Sequence, residues 1–233
     1  TVRGHLKTNI MYRQLNKRFA GAVFMLAKKT ENNVEFIGTG FLASKKGYLL
    51  TCSHVINPTD KIVAIKTGNF NSFNPMTLEK VQTFDLTLVQ SDAVNDVALL
   101  KFNNNIEAQV PDDIFGKTDQ VECGSNIAII GFPFGNTGLH LQSITHGIIS
   151  SKTISSNKVK LLQFDSMVHE GNSGSPLIEL NSNKIIGIVT NRFNPSQGGA
   201  SIMIGSRQLG VETNISYATV IEYGQELLEN ELK

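Results

Sequence analysis

Twelve short runs of apolar and β-branched residues, separated by polar, Gly or Asn clusters, fill residues 20–220 and point this chain to an all-β architecture. They fall into two equal sets. The first comprises residues 21–27, 34–43, 48–53, 61–66, 81–89 and 97–102; the second comprises 126–131, 141–150, 159–165, 175–179, 185–191 and 214–220. Residues 103–124 between them are Asn-rich, with Pro111 and the adjacent Asp112 and Asp113, the composition of a connecting loop. Short strands at close spacing in two sets predict two six-stranded antiparallel β-barrels packed together. Beyond residue 219 the period changes: Val220, Tyr223, Leu227, Leu228 and Leu232 recur at helical spacing among acidic residues, predicting an amphipathic C-terminal helix. The expected organisation is an N-terminal segment at 1–17 to which no structure is assigned, a first barrel at 18–105, a connection at 106–122, a second barrel at 123–218 and a helix at 219–233. Two long loops, 67–79 and 194–212, are candidates for functional or mobile segments.

Composition narrows the function classes. The formal charge is +1 over 233 residues with both signs mixed along the chain, so no surface is built to neutralise many phosphates and no nucleic-acid partner is expected. No apolar run approaches the roughly 20 residues of a membrane-spanning helix, and no membrane partner is expected. Only Cys52 and Cys123 occur, fewer than a disulfide-stapled secreted fold carries. Both are expected to be buried thiols, in a cytoplasmic or other bridge-free compartment. His140, His146 and His169 are scattered without metal-ligand spacing, so no metal site is expected.

Three residues carry the chemistry. In Gly171-Asn172-Ser173-Gly174-Ser175-Pro176, glycines on both sides of Ser173 permit a tight turn that presents the hydroxyl. The amides of Gly171 and Ser173 then converge on one small space, an oxyanion hole. A neutral hydroxyl needs an adjacent base. His54 ends the apolar run Tyr48-Leu-Leu-Thr-Cys-Ser-His54, and Asp96 precedes the apolar run Val97-Ala-Leu-Leu. Each alone reads as a core histidine, a turn aspartate or a surface turn. The order His, Asp, Ser, divided between the two strand sets, is that of a triad assembled across a cleft between barrels.

With those residues in place, the chain resembles the chymotrypsin-like serine proteases, and among them most the Deg/HtrA-type protease domain. The resemblance is carried by Gly38-Thr-Gly-Phe-Leu-Ala-Ser-Lys-Lys-Gly-Tyr-Leu-Leu-Thr51 with Ser53-His54-Val, by Asp96-Val-Ala-Leu-Leu-Lys101, by Gly131-Phe-Pro-Phe-Gly135 and by Gly147-Ile-Ile-Ser150. It spans residues 20–220 and implies a double barrel, endopeptidase activity on polypeptides and no cofactor. His54, Asp96 and Ser173 would be catalytic. It further implies a specificity pocket around Met167, Thr190, Asn191, Arg192 and Ile215, with no acid to recruit Lys or Arg, hence a preference for a small or medium apolar side chain. Asp165 is expected to be a strand-end residue. The resemblance also implies a homo-oligomer, a trimer, and it implies a PDZ module following the protease domain, to which no residue of the sequence corresponds.

The departures from the family pattern are informative. Asn172 replaces the acidic residue that pairs with a freed N-terminus in digestive members, so activation by that ion pair is not expected. Ser175 replaces a glycine and is expected to crowd its strand. Glu170 stands just before the oxyanion turn, where it would lie near substrate and disfavour acidic residues beside the cleaved bond. Two alternatives remain open on sequence: a degenerate protease acting as a binding or regulatory module, and a domain that cleaves only its own parent chain.

Overall fold

The computed structural model describes residues 2–31, 33–68, 70–104, 110–111, 113–192, 202–204, 207–209 and 214–233; side chains are described from Met11 onward, except at 191–192, 202–204 and 207–209. Strands β1 (Val23–Lys29), β2 (Val34–Leu42), β3 (Tyr48–Thr51), β4 (Ile62–Ile65), β5 (Thr83–Asp92) and β6 (Val97–Phe102) close into one barrel in the order β1-β2-β3-β6-β5-β4. Strands β7 (Asn126–Gly131), β8 (Ser143–Ile154), β9 (Lys160–Asp165), β10 (Pro176–Glu179), β11 (Lys184–Arg192) and β14 (Ile215–Val220) close the second, in the order β10-β11-β14-β9-β8-β7. Every pairing in both barrels is antiparallel. The two six-stranded barrels expected from the strand pattern are thus observed. Closure removes sheet edges, and the β-branched inward positions fill each interior.

The strands are near-continuous apolar runs where both faces are covered. In β6 the residues Val97 to Leu100 are all fully buried, because one face fills the barrel and the other meets the C-terminal helix. That helix, α2 (Ile221–Leu232), buries Ile221, Gly224 and Leu228, a stripe at i, i+3 and i+7. Leu232, expected on the stripe, is instead exposed. In its first turn the Glu222 carboxylate accepts from both the amide and the hydroxyl of Thr118, at 2.8 Å each. The helix start is thereby tied to the inter-barrel connection.

Three features differ from the sequence expectation. First, the N-terminal segment is a helix, α1 (Val2–Phe19), whose Leu15 and Phe19 are buried in the same apolar cluster as Leu26 of the first barrel and Ile130 of the second. Second, β8 runs on to Ile154, because a turn with Lys158 at φ 63° returns the chain as β9 and pairs residues 151–154 with 160–163. Third, part of the 194–212 loop pairs with itself: β12 (Ile202–Ile204) and β13 (Arg207–Leu209) form an antiparallel hairpin. The rest of that loop lies outside the described residues. Cys52 is buried, whereas Cys123, expected to be buried, is exposed in the turn before β7; both thiols are free. No helix among the described residues is long and apolar enough to cross a membrane.

Docking of α1 has a measurable consequence. Leu15 is fully buried, so Leu15→Ala is expected to lower unfolding free energy by about 2–5 kcal/mol in denaturant titration. Leu232→Ala, at an exposed site of α2, is expected to change it by no more than about 0.5 kcal/mol. Equal effects of the two would mean that α1 is not docked.

Candidate active site

His54 and Asp96 come from the first barrel and Ser173 from the second. The run that ends β3 turns at once into a short 3-10 segment, Ser53–Val55, which lifts His54 out of the core to the cleft. Asp96 is placed by the turn before β6. There Asp92 accepts from the amides of Val94 and Asn95 at 2.9 and 3.0 Å, and from the Asn95 side chain at 2.6 Å. Asp96 itself takes a left-handed backbone, φ 56°, which aspartate tolerates better than most residues. The result is a close pair. His54 Nδ1 lies 2.8 Å and 3.0 Å from the two carboxylate oxygens of Asp96, and the His54 backbone amide donates to the same carboxylate at 3.0 Å.

A fourth hydrogen bond reaches Asp96 from the other barrel, the Thr190 hydroxyl at 2.6 Å. Burial on its own pushes the Asp96 carboxyl up. The hydrogen bonds from His54 and Thr190 and the charge of His54 together outweigh it and hold the group below its ordinary range. The side chain of Thr190 is therefore turned to the aspartate, while its carbonyl accepts the Ser173 hydroxyl at 2.8 Å. Among the described residues no hydrogen bond joins Ser173 Oγ to His54.

The nucleophile turn is built as its glycines require. Gly171 has φ 98° and Gly174 φ 88°, both left-handed. Space forbids a side chain as well: a Cβ on Gly174 would overlap the Thr39 carbonyl oxygen and Thr51 Oγ1, and one on Gly171 would overlap the Phe132 carbonyl oxygen. The turn is closed by Asn172 N to His169 O at 3.0 Å and Ser175 N to Asn172 O at 2.9 Å. Among the described residues nothing accepts from the amides of Gly171 and Ser173, the donors an oxyanion needs. Asn172 is almost fully buried beside Gly131, where a neutral amide needs no ionic partner. The expected crowding by Ser175 is relieved at Gly131, whose missing side chain leaves the room that Ser175 Oγ occupies. That hydroxyl is buried without a hydrogen-bond partner.

The remaining expected site residues separate into groups. Asp165 ends β9 and pairs with Ile215; Ser166 N donates to Asn214 O at 3.1 Å, and Ser216 Oγ donates to Ser166 O at 2.8 Å. Half-buried Met167 and exposed Ile215 thus belong to neighbouring stretches of backbone. Asn191 and Arg192 continue β11 past Thr190, and their side chains lie outside the described residues. Glu170 lines the cleft with His54, Gly171 and Ser173. Its carboxylate accepts from the Asn136 amide at 2.6 Å, and its backbone carbonyl accepts from Phe134 N at 2.7 Å.

Two contributors were not anticipated. Thr39, fully buried, donates its amide to Ser173 O at 2.9 Å and its hydroxyl to Gly171 O at 2.7 Å, and its own carbonyl accepts from Thr51 Oγ1 at 2.7 Å. Buried threonines within apolar strands were the available signal. Cys52 offers Sγ within 4.8 Å of ligand atoms of His54 and Asp96. Its thiol is pushed up, chiefly by burial and then by the Asp96 charge, and donates to Val189 O at 3.1 Å. It is kept as a thiol and is no rival nucleophile.

The lowered Asp96 pKa sets a pH dependence. Folded Asp96 binds its proton less readily than the unfolded residue, so its contribution to stability is present above about pH 4 and is lost as pH falls through the folded pKa. Asp96→Asn lacks that component. The stability difference between wild type and variant is expected to narrow as the pH is lowered from about 6 toward 2, read from urea midpoints. A difference that is constant or grows on acidification would contradict the sign.

Comparison with known proteins agrees with this arrangement. A family model for the trypsin-like peptidase domain matches residues 38–188, more than half of the chain. A probable periplasmic serine endoprotease DegP-like of Pseudomonas fulva is 32% identical over 171 residues, covering 72% of this chain and 32% of its own length. Its counterpart in Rickettsia prowazekii is 34% identical over 175 residues, covering 72% and 30%. The chain therefore spans about a third of the length of these relatives. Among solved structures, the HtrA-type protease AlgW with tripeptide matches with a TM-score of 0.68 at 27% identity, over 94% of this chain and 62% of that one. The serine endoprotease from Yersinia pestis shares the fold, with a TM-score of 0.65 at 24% identity over 94% of this chain and 65% of that one. Matched from the strand ahead of His54 to the strand behind Ser173, the chain belongs to the trypsin-like peptidase family, with DegP-like and HtrA-type serine proteases among its relatives.

Proposed function

We propose that this chain is a serine endopeptidase that hydrolyses peptide bonds through an acyl-enzyme, with Ser173 as nucleophile, His54 as general base and acid, and Asp96 orienting the imidazole. The observation that supports it most is the His54–Asp96 contact at 2.8 Å facing a glycine-flanked serine from the other barrel. As substrate enters, Ser173 Oγ leaves the Thr190 carbonyl and turns to His54. His54 takes the hydroxyl proton while Oγ bonds to the substrate carbonyl carbon, and the carbonyl electron pair moves to oxygen facing the amides of Gly171 and Ser173. Collapse breaks the C–N bond, and His54 returns the proton to the leaving amine. Water repeats the sequence on the ester and frees Ser173. Asp96 keeps the proton of the imidazole on Nδ1 and stays ionised throughout.

The side chain ahead of the scissile bond is proposed to enter between Met167 and Ile215, with Thr190, Asn191 and Arg192 supplying the strand along which the substrate lies. A second reading, a protease domain held at rest and acting as a regulatory or self-processing module, draws on the engagement of Ser173 Oγ by Thr190 O at 2.8 Å. A fluorophosphonate probe separates the readings: an active enzyme is labelled and also digests casein, whereas a resting one is labelled weakly or not at all.

Ser173→Ala is expected to abolish both labelling and peptide cleavage with the fold retained by circular dichroism; undiminished turnover would refute the assignment. In a peptide panel varied at the residue before the scissile bond, Val and Leu are expected to give higher kcat/KM than Arg. The reverse order would remove the proposed apolar pocket.

A further inference from the structure

The cleft beside Ser173 does not end at the triad. His54 delivers its proton to the leaving amine, so the segment that follows the scissile bond departs past His54 and Val55, between them and Phe36 and Ile37 of β2. Neither Met167 nor Ile215 is among the residues that line this part of the cleft. There Phe36 and Asn136 also border a second, larger cavity of about 530 Å³, within the size range of ligand pockets. The Asn136–Glu170 hydrogen bond at 2.6 Å stands at the junction of the two spaces.

The chemistry of this cavity is one-sided. Its apolar wall is formed by Met25, Ala27, Ile65 and Val81 of the first barrel. Its charged lining residues are Glu35 and Glu79, and Glu170 lines the adjoining cleft; among the described residues no Lys or Arg lines either space. Glu35 is shared with Lys28 at 2.9 Å. Glu170 accepts from a neutral amide, and Glu79 has no ion pair among the described residues. His140 is already engaged, its Nδ1 accepting from Leu78 N at 3.0 Å.

We infer that this cavity is a substrate subsite for the leaving-group side, taking a Lys or Arg located two or three residues after the scissile bond. An extended chain advances about 3.3 Å per residue, so the first residue past the bond lies beside His54 and Val55 and the next ones reach Phe36 and the cavity. A lysine or arginine lays its methylene stem on the apolar wall and presents its cation to Glu79 and Glu35. An acidic residue there meets the carboxylates of Glu79 and Glu35. The inference rests on the endopeptidase reading and adds to it the sequence class that is cleaved.

The test uses internally quenched peptides with one fixed apolar residue before the scissile bond. Lys, Arg, Leu or Glu is placed in turn at the first, second and third positions after it. Wild-type protein is expected to show kcat/KM higher for Lys or Arg than for Glu by about tenfold at the second or third position. In Glu79→Lys this ratio is expected to fall to about one or invert, and in Glu79→Gln to take an intermediate value. Because each ratio is taken within one protein, partial loss of folding cancels. A flat or Glu-preferring ranking at all three positions in wild type, or a ratio unchanged in Glu79→Lys, overturns the subsite. Absence of fluorophosphonate labelling in wild type overturns the endopeptidase reading instead, so the two failures are distinguishable.

Discussion

One buried threonine holds the two halves of this site in register. Thr39 belongs to β2 of the first barrel, yet its amide and hydroxyl are spent on Ser173 O and Gly171 O, the two carbonyls that flank Asn172 in the second. A loop exposed to water would satisfy those carbonyls with solvent and keep its freedom. Here they are taken from inside, by a residue with no exposure of its own, and leaving either one unpaired would cost about 1–3 kcal/mol. Thr51 extends the chain of bonds to β3, the strand that leads into His54. The nucleophile turn and the histidine are therefore fastened to adjacent strands of one barrel, even though the serine is carried by the other.

This fastening explains the tolerance for unusual residues around it. Gly174 and Gly171 have no alternative, since any Cβ would overlap backbone oxygens of Thr39 and Phe132. Ser175 is accommodated because Gly131 gives way, at the cost of a hydroxyl buried without a partner. On the other side of the cleft Thr190 joins three functions: its hydroxyl holds Asp96, its carbonyl receives the resting Ser173 hydroxyl, and its strand leads on toward the proposed substrate path. The same carboxylate that bonds His54 adds to the burial that keeps the neighbouring Cys52 thiol protonated.

The twelve barrel strands were legible because β-branched runs punctuated by Gly and Asn are a local signal, and the order His54, Asp96, Ser173 was legible as a pattern divided between the two strand sets. Met11, Leu15 and Phe19 were equally present as an i, i+4, i+8 series, but the polar residues among them hid it. The stripe acquires meaning only when two barrels supply the surface that buries it. The hairpin β12–β13 and the extension of β8 depend on turns that few residues specify.

By itself, then, the amino-acid order determined the twelve barrel strands, the division of His54 and Asp96 from Ser173, and the glycine-framed turn, because each is written in residues close along the chain. Only the tertiary structure decided what Thr39, Thr190, Gly131 and Glu79 do. Their partners are separated from them by tens to more than a hundred positions, and a hydroxyl or carboxylate carries no mark of which distant carbonyl or cavity folding will bring to it.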